Sequence, residues 1–396
     1  MITNKAVSMP FLRLYALAFL FFSANSILNV IVPLRSEALG ASNGQIGWIM
    51  GAYMFTCMFF RPWAGHLIRK YGPVTVLRCL LVVNGLALVM YAFSGLEGYF
   101  AARVVQGICT AFFSMSLQLG IIDSLPEEQR AQGLSMYSLF TYMPTIVGPL
   151  LAIGIWDWGG ISAFTFAMIM IALVTGTFGY SVPMQSGRQA EKVPAAQEGI
   201  GSGFRQLAAN RPLLVCSSLM LLASAVFGAV TAFIPLYARQ IAYGYAGFYL
   251  MLQAFTVVAA RFTLGKRIPS DGRWHPRFVG SLCLFAAAGA GLLSLSQTAG
   301  PVLFYAAAVL LGLAQALLYP TLTSYLTFAL PAASRNVLIG LFIATADLGI
   351  AMGGMAMGPV ADKFSYSTMY AACAVLAAFA VCAAWISRMK RTEGNS

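Results

Sequence analysis

From Leu213 to Leu236 the chain runs for 24 residues without a charged side chain. As a helix this stretch is roughly 36 Å long at about 1.5 Å per residue, enough to cross a hydrocarbon core of about 30 Å. Runs of the same kind recur along all 396 residues. A backbone in lipid must satisfy its own polar groups, which leaves helices or closed barrels. Barrel strands alternate apolar and polar over about ten residues, and these runs are continuous. The fold class is therefore an all-α membrane protein. Composition agrees: only 9% of residues are charged and 59% are hydrophobic, against about 25% charged in soluble domains.

Twelve spans are predicted, at roughly 12–34, 44–66, 74–94, 99–121, 132–155, 160–182, 212–236, 244–265, 275–296, 300–326, 337–359 and 366–388. Lys5 and Arg13 beside the first run mimic a signal peptide, but the run is too long for one and is read as a span. The longest break holds Pro183, Pro194 and the mixed charges Arg188, Glu191, Lys192, Glu198 and Arg205. It reads as a polar linker, 184–211, between an N-terminal bundle, 1–183, and a C-terminal bundle, 212–396.

The net charge of +12 is not that of a nucleic-acid binder, because the cations lie in small groups between spans and form no basic domain. They follow sidedness instead. With the N-terminus inside, twenty of the 24 Lys and Arg residues fall on one side, and only Arg35, Arg239 and Lys363 on the other. Arg103 lies inside the fourth span. That bias predicts both termini cytoplasmic in a cell inner (plasma) membrane.

The halves repeat. Arg61-Pro-Trp-Ala-Gly65 closes span two and Arg261-Phe-Thr-Leu-Gly265 closes span eight. Pro33-Leu34 matches Pro235-Leu236, Pro126 and Arg130 match Pro331 and Arg335, and Gly148-Pro149 in span five matches Gly358-Pro359 in span eleven. Two pseudo-symmetric six-helix bundles of this kind usually frame a site near the bilayer midplane and work by alternating access.

These residues resemble the major facilitator superfamily, and the likeness covers the whole chain. Gly65-His-Leu-Ile-Arg-Lys-Tyr-Gly72 is similar to the family's signature loop G-x-L-x-D-R-x-G-R-R, with Arg69 where the aspartate stands and Pro73-Val74 in place of the last arginines. Arg103-Val-Val-Gln106-Gly107 matches the span-four motif R-x-x-Q-G of proton-coupled members. Pro144-Thr-Ile-Val-Gly148-Pro149-Leu-Leu-Ala152 resembles the antiporter motif G-x-x-x-G-P-x-x-G, less its first and last glycines. Gly354-Met-Ala-Met-Gly358-Pro359 is closer to it. Together they imply the drug/proton antiporter branch, which exports. The stretches 51–65 and 116–148 are also similar to bacterial exporters of opine-type metallophores, the staphylopine-like group.

Asp347 sits about ten residues, roughly 15 Å, into span eleven. An acid at that depth is costly when charged and usually marks a proton relay, an ion site or a substrate contact. It is the candidate proton carrier; a structural ion pair is the alternative. Arg103 stays charged, so it either biases a nearby carboxylate, clamps a substrate carboxylate, or snorkels to the outer headgroups. Asn25 and Asn29 share a helix face. With Gln106, Gln118, Gln253, Gln315 and Tyr319 they are candidates for the substrate cavity, which in this superfamily is lined by spans one, four, seven and ten. Tyr53, Tyr137 and Tyr142 are further candidates for stacking on a ring. Arg61, Arg69, Asp123 and Arg130 form a candidate inner gate, with Asp123 supplying the negative charge missing at position 69; a solvated helix end serves equally well. Gly148, Pro149, Gly354, Gly358 and Pro359 are read as helix-packing and bending positions.

All seven cysteines fall in predicted spans without a CxxC pair, so neither a disulfide framework nor a metal site is expected. His66 and His275 are placed in short loops. With no histidine in a span, no HExxH and no phosphate-binding G-x-x-x-x-G-K-[ST] loop, an enzyme, an ATP-driven pump and a cofactor are not expected. The expectation is a proton-coupled exporter of a small organic molecule, acting as a monomer. Its partners are substrate, protons and lipid, with no nucleic acid. An opine-type metallophore would want a polar, basic cavity, a lipophilic drug an apolar, aromatic one. The sequence suits either, and an importer or facilitator of a polar solute in the same fold stays open.

Overall fold

The computed structural model describes residues 8–181, 210–331 and 334–387. Among them it is helical throughout. α1 is Met9–Ala38, α2 Asn43–Tyr71, α3 Pro73–Phe93 and α4 Leu96–Ser124. The continuous stretch Glu127–Tyr180 breaks at Gly160, where φ is 54° and ψ −132°; its arms, 127–159 and 161–180, are α5 and α6. Then follow α7 (Arg211–Tyr237), α8 (Ala246–Leu264), α9 (Pro276–Ala299), α10 (Pro301–Ala329), α11 (Arg335–Lys363) and α12 (Tyr366–Ile386). Among the described residues, twelve α-helices thus stand where twelve spans were predicted. Ten stretches among the described residues are long and apolar enough to cross a membrane, with α5 and α6 counted as one. α2 is not among them, because glycines, Asn43, Gln45 and its basic C-terminal end dilute it. The linker 184–211 lies almost wholly outside the described residues.

Helix ends follow local chemistry. Pro73, Pro276 and Pro301 open α3, α9 and α10 at a position whose N–H has no helical partner anyway. The Ser365 side chain caps α12 by accepting from the Thr368 N–H. Gly72 is the whole connection between α2 and α3. Its φ of 81° is one that a side chain would resist, which explains the second glycine of the signature loop. His66, expected in a loop, is instead an exposed residue of α2, because that helix runs on to Tyr71.

The chain divides into two compact units: residues 1–41 with 52–193, and residues 42–51 with 194–396. In the first, α1 packs on α5 and α3 on α4, while Leu81 of α3 meets Gly179 of α6. Phe11, Tyr15, Phe21, Leu81, Phe113 and Tyr137 belong to one buried cluster there, and the Phe21 and Phe113 rings stack 3.8 Å apart. In the second, α7 packs on α11, α9 on α10 and on α12, and α8 on α10. The matched pairings, α1 with α5 and α7 with α11, α3 with α4 and α9 with α10, are the internal repeat in three dimensions. α3, α6, α9 and α12 carry exposed Leu86, Phe166, Leu295 and Phe379, an apolar surface suited to lipid. Cys79 on α3 and Cys382 on α12 lie on that surface; the other five cysteines are buried, and all seven are free.

Lipid tails are as apolar as leucine, so helix association rests on close packing and hydrogen bonds. α11 shows both. One side of it carries Gly349 and Gly353 against the α7 backbone at Leu221 and Ala225. The next side presents Gly354 and Gly358 to the first turns of α2, at Gly47 and Asn43, within the same unit. At its end the Asp362 carboxylate accepts from the N–H groups of Asn43 (2.7 Å) and Gly44 (2.8 Å). Two donors that α2 cannot satisfy itself are capped by an acid at the positive end of a helix. Asp362→Ala is expected to lower the local stability of this turn by about 1 kcal/mol. Hydrogen–deuterium exchange of residues 43–47 should quicken about fivefold, while exchange in α12 stays unchanged.

Candidate functional site

Arg103 of α4 is fully buried in the first unit. Its Nη1 donates to Asn25 Oδ1 at 3.0 Å and its Nη2 to Asn29 Oδ1 at 3.2 Å. The two asparagines, one turn apart on α1, therefore hold both arms of one guanidinium. Tyr53 of α2 brings its ring to 5.6 Å from the Arg103 guanidinium carbon, a cation–π distance, and its hydroxyl donates to Thr110 at 3.0 Å. Tyr53 is thus committed to the arginine and its helix. Gly107 lets this happen. A Cβ there would lie 2.0 Å from Thr56 Oγ1 and 2.3 Å from the Tyr53 carbonyl oxygen, so the last glycine of Arg103-Val-Val-Gln106-Gly107 admits α2 to α4. Gln106 turns away from the asparagines: buried, it accepts from the Tyr91 hydroxyl at 2.7 Å. Gln118 is half-buried beside the Tyr137 hydroxyl.

The second unit holds a separate polar group. Gln253 of α8 donates through Nε2 to Gln315 Oε1 of α10 at 3.2 Å, and its own Oε1 is buried without a hydrogen-bond partner. Tyr319, one turn beyond Gln315, stacks on Phe342 of α11 with centroids 5.7 Å apart. Asp347 lies further along α11, 9% exposed, about 18 Å from the helix start at 1.5 Å per residue.

The candidate gate residues do different things. Arg130 Nε donates to the carbonyls of Ile122 (3.1 Å) and Leu125 (3.3 Å), capping the C-terminal end of α4. Arg61 Nη2 reaches Cys57 Sγ at 3.5 Å. Asp123 is exposed, with no hydrogen bond or ion pair among the described residues. The Arg69 side chain lies outside the described residues. Gly148 packs on Ser26, whose hydroxyl donates to the Pro144 carbonyl at 2.8 Å, joining α1 to α5. Outside the spans, His275 Nε2 lies 2.9 Å from Asp271 Oδ1, and this contact holds the Asp271 carboxyl below its usual range. The depression beside it, lined by His275, Pro276, Arg277, Phe278 and Ser281, is an open surface dip far in sequence from the buried polar groups.

Sequence reading missed Tyr91 and the Gly349 and Gly353 seam. A tyrosine amid an apolar run carries no mark of its partner. The Gly-x-x-x-Gly spacing of 349 and 353 was readable, but not which helix it faces.

Helices with a buried arginine and a buried aspartate at depth, in two units of repeated topology, define a multi-pass membrane transporter. Residues 14–354 match the family model for the Major Facilitator Superfamily, and the chain belongs to that superfamily. It is 51% identical over 373 residues to the "Staphylopine export protein" of Staphylococcus aureus (strain Mu50 / ATCC 700699), covering 94% of each chain. It is 23% identical to the "Uncharacterized MFS-type transporter YhhS" of Escherichia coli (strain K12), covering 96% of this chain and 93% of that one. Among solved structures it is similar to the nucleoside transporter NupG, with TM-score 0.77, 14% identity and coverage of 96% and 100%. It is also similar to a D-xylose–proton symporter, with TM-score 0.73, 14% identity and 98% coverage of both. At such identities these structures speak for the fold alone.

Proposed function

We propose that this chain is a proton-coupled exporter of an opine-type metallophore, working by alternating access as a monomer in a bacterial plasma membrane with both termini cytoplasmic. The observation that carries the reading is the 51% identity to a staphylopine exporter along 94% of both chains. The site residues support it. The first unit offers a cationic, amide-lined substrate seat at Arg103, Asn25 and Asn29, which suits a polar amino-carboxylate better than a lipophilic drug. The second offers Asp347 as the proton carrier, since a nearly buried acid is relieved of its charge cost by taking a proton. The N-terminal and C-terminal bundles, 1–183 and 212–396, are the two moving halves.

Inverted membrane vesicles test direction, coupling and substrate together. With the lumen acidified, they are expected to accumulate a labelled opine-type metallophore against its gradient and to release it when the gradient is collapsed. Accumulation of lipophilic cations but not of the metallophore would overturn the substrate. Equilibration without accumulation would overturn the coupling.

A further inference from the structure

Arginine has five N–H donors and no acceptor. Both asparagines that meet Arg103 must therefore turn their oxygens to it, whichever way an amide would otherwise settle. Each Nδ2, on the same amide carbon, is then left to find a partner other than the guanidinium. Asn25 and Asn29 are partly exposed, unlike Arg103, and neither amide nitrogen has a hydrogen-bond partner among the described residues. The arginine thus polarises two neutral amides and leaves their N–H groups for another acceptor. The result is a donor-rich face one helical turn long, with a fixed positive charge behind it and the Tyr53 ring at 5.6 Å packed on that charge. Acceptors bind such a face; ammonium groups do not.

We infer that the paired amide nitrogens of Asn25 and Asn29 seat a carboxylate of the transported molecule, and that Arg103 acts on it through them as a positioning charge. This deepens the transporter reading of the same site and names what its ligand must carry. It also assigns selectivity. A molecule with its carboxylate esterified, or a purely cationic one, loses the anion these donors require.

The test is direct binding to the purified full-length chain, with four probes: an opine-type amino-polycarboxylate, an amine-free tricarboxylate, and the methyl esters of both. Wild type is expected to bind at least one acid and to bind its ester at least about tenfold more weakly, the loss of one charge-assisted contact. Asn25→Asp and Asn29→Asp keep the side-chain shape and the contact to Arg103 but replace the donor with an anionic oxygen. Each should weaken acid binding about tenfold or more. If only the amine-free acid binds, with that pattern, the carboxylate seat stands and the opine assignment falls. Esters bound as tightly as acids, neither acid bound, or an Asp variant that keeps acid affinity within twofold would each overturn the inference. Should a variant fail to fold, the ester comparison on the wild-type chain still decides.

Discussion

Asp347→Asn is expected to abolish uphill transport while leaving substrate able to bind. Asparagine matches aspartate in shape, so the packing of α11 at this nearly buried position is kept. What is lost is the ability to take and release a proton. If one proton moves per substrate, a difference of two pH units sustains about a 100-fold substrate gradient, since each unit is worth about 1.36 kcal/mol. The variant has no such coupling, so its accumulation ratio should fall to about one. Exchange of labelled for unlabelled substrate needs no net proton movement and should persist. The measurement is therefore paired: accumulation under an imposed gradient, and exchange without one. A variant that accumulates substrate as wild type does would remove Asp347 from the proton path. Loss of both activities would make it a structural acid.

Sequence carried the fold further than it carried the sites, for a physical reason. Spans are long and lipid imposes one requirement on all of them, so hydropathy placed each helix to within a few residues. The exception, His66, shows the limit: α2 continues as a helix past the point where lipid would demand it, and no hydropathy signal marks that extension. Side-chain partners are set by rotation about helix axes, which apolar runs do not record. Asn25 and Asn29 were legible as a pair because polar amides one turn apart in a span must face something. That they face Arg103, 78 and 74 residues on, was not. Gln106 had the same polar mark and yet turns to Tyr91. The resemblance supplied Gly107 within a motif. The contact with Tyr53 shows that the glycine serves the arginine by letting the α2 backbone close on α4.

Gly353→Ala is expected to be the most damaging single methyl group in the second unit. A Cβ at this position would lie 2.0 Å from the Ala225 carbonyl oxygen and 2.9 Å from the Ala229 nitrogen. Both are backbone atoms of α7, so no rotamer change relieves the clash, and the helices must separate. Separation also strips the neighbouring contacts of Gly349 with Leu221 and of Gly228 with Ile350. Overpacking of this kind costs about 1–3 kcal/mol, and more where backbone must move. In lipid, close packing is much of what holds two helices together, so the loss falls on the main attraction itself. Gly340→Ala is the control, on the same helix with nothing within 4 Å of its Cβ. It should be neutral or stabilising by up to about 1 kcal/mol, because alanine favours the helix. Gly354→Ala, one residue from the seam, meets its nearest atom at 3.1 Å and should fall between the two. Thermal unfolding of the detergent-solubilised chain should rank the variants Gly340→Ala, Gly354→Ala, Gly353→Ala, from most to least stable. Equal midpoints for 353 and 340 would mean that α7 and α11 do not approach so closely, and the glycine seam would then have no part in holding the second unit together.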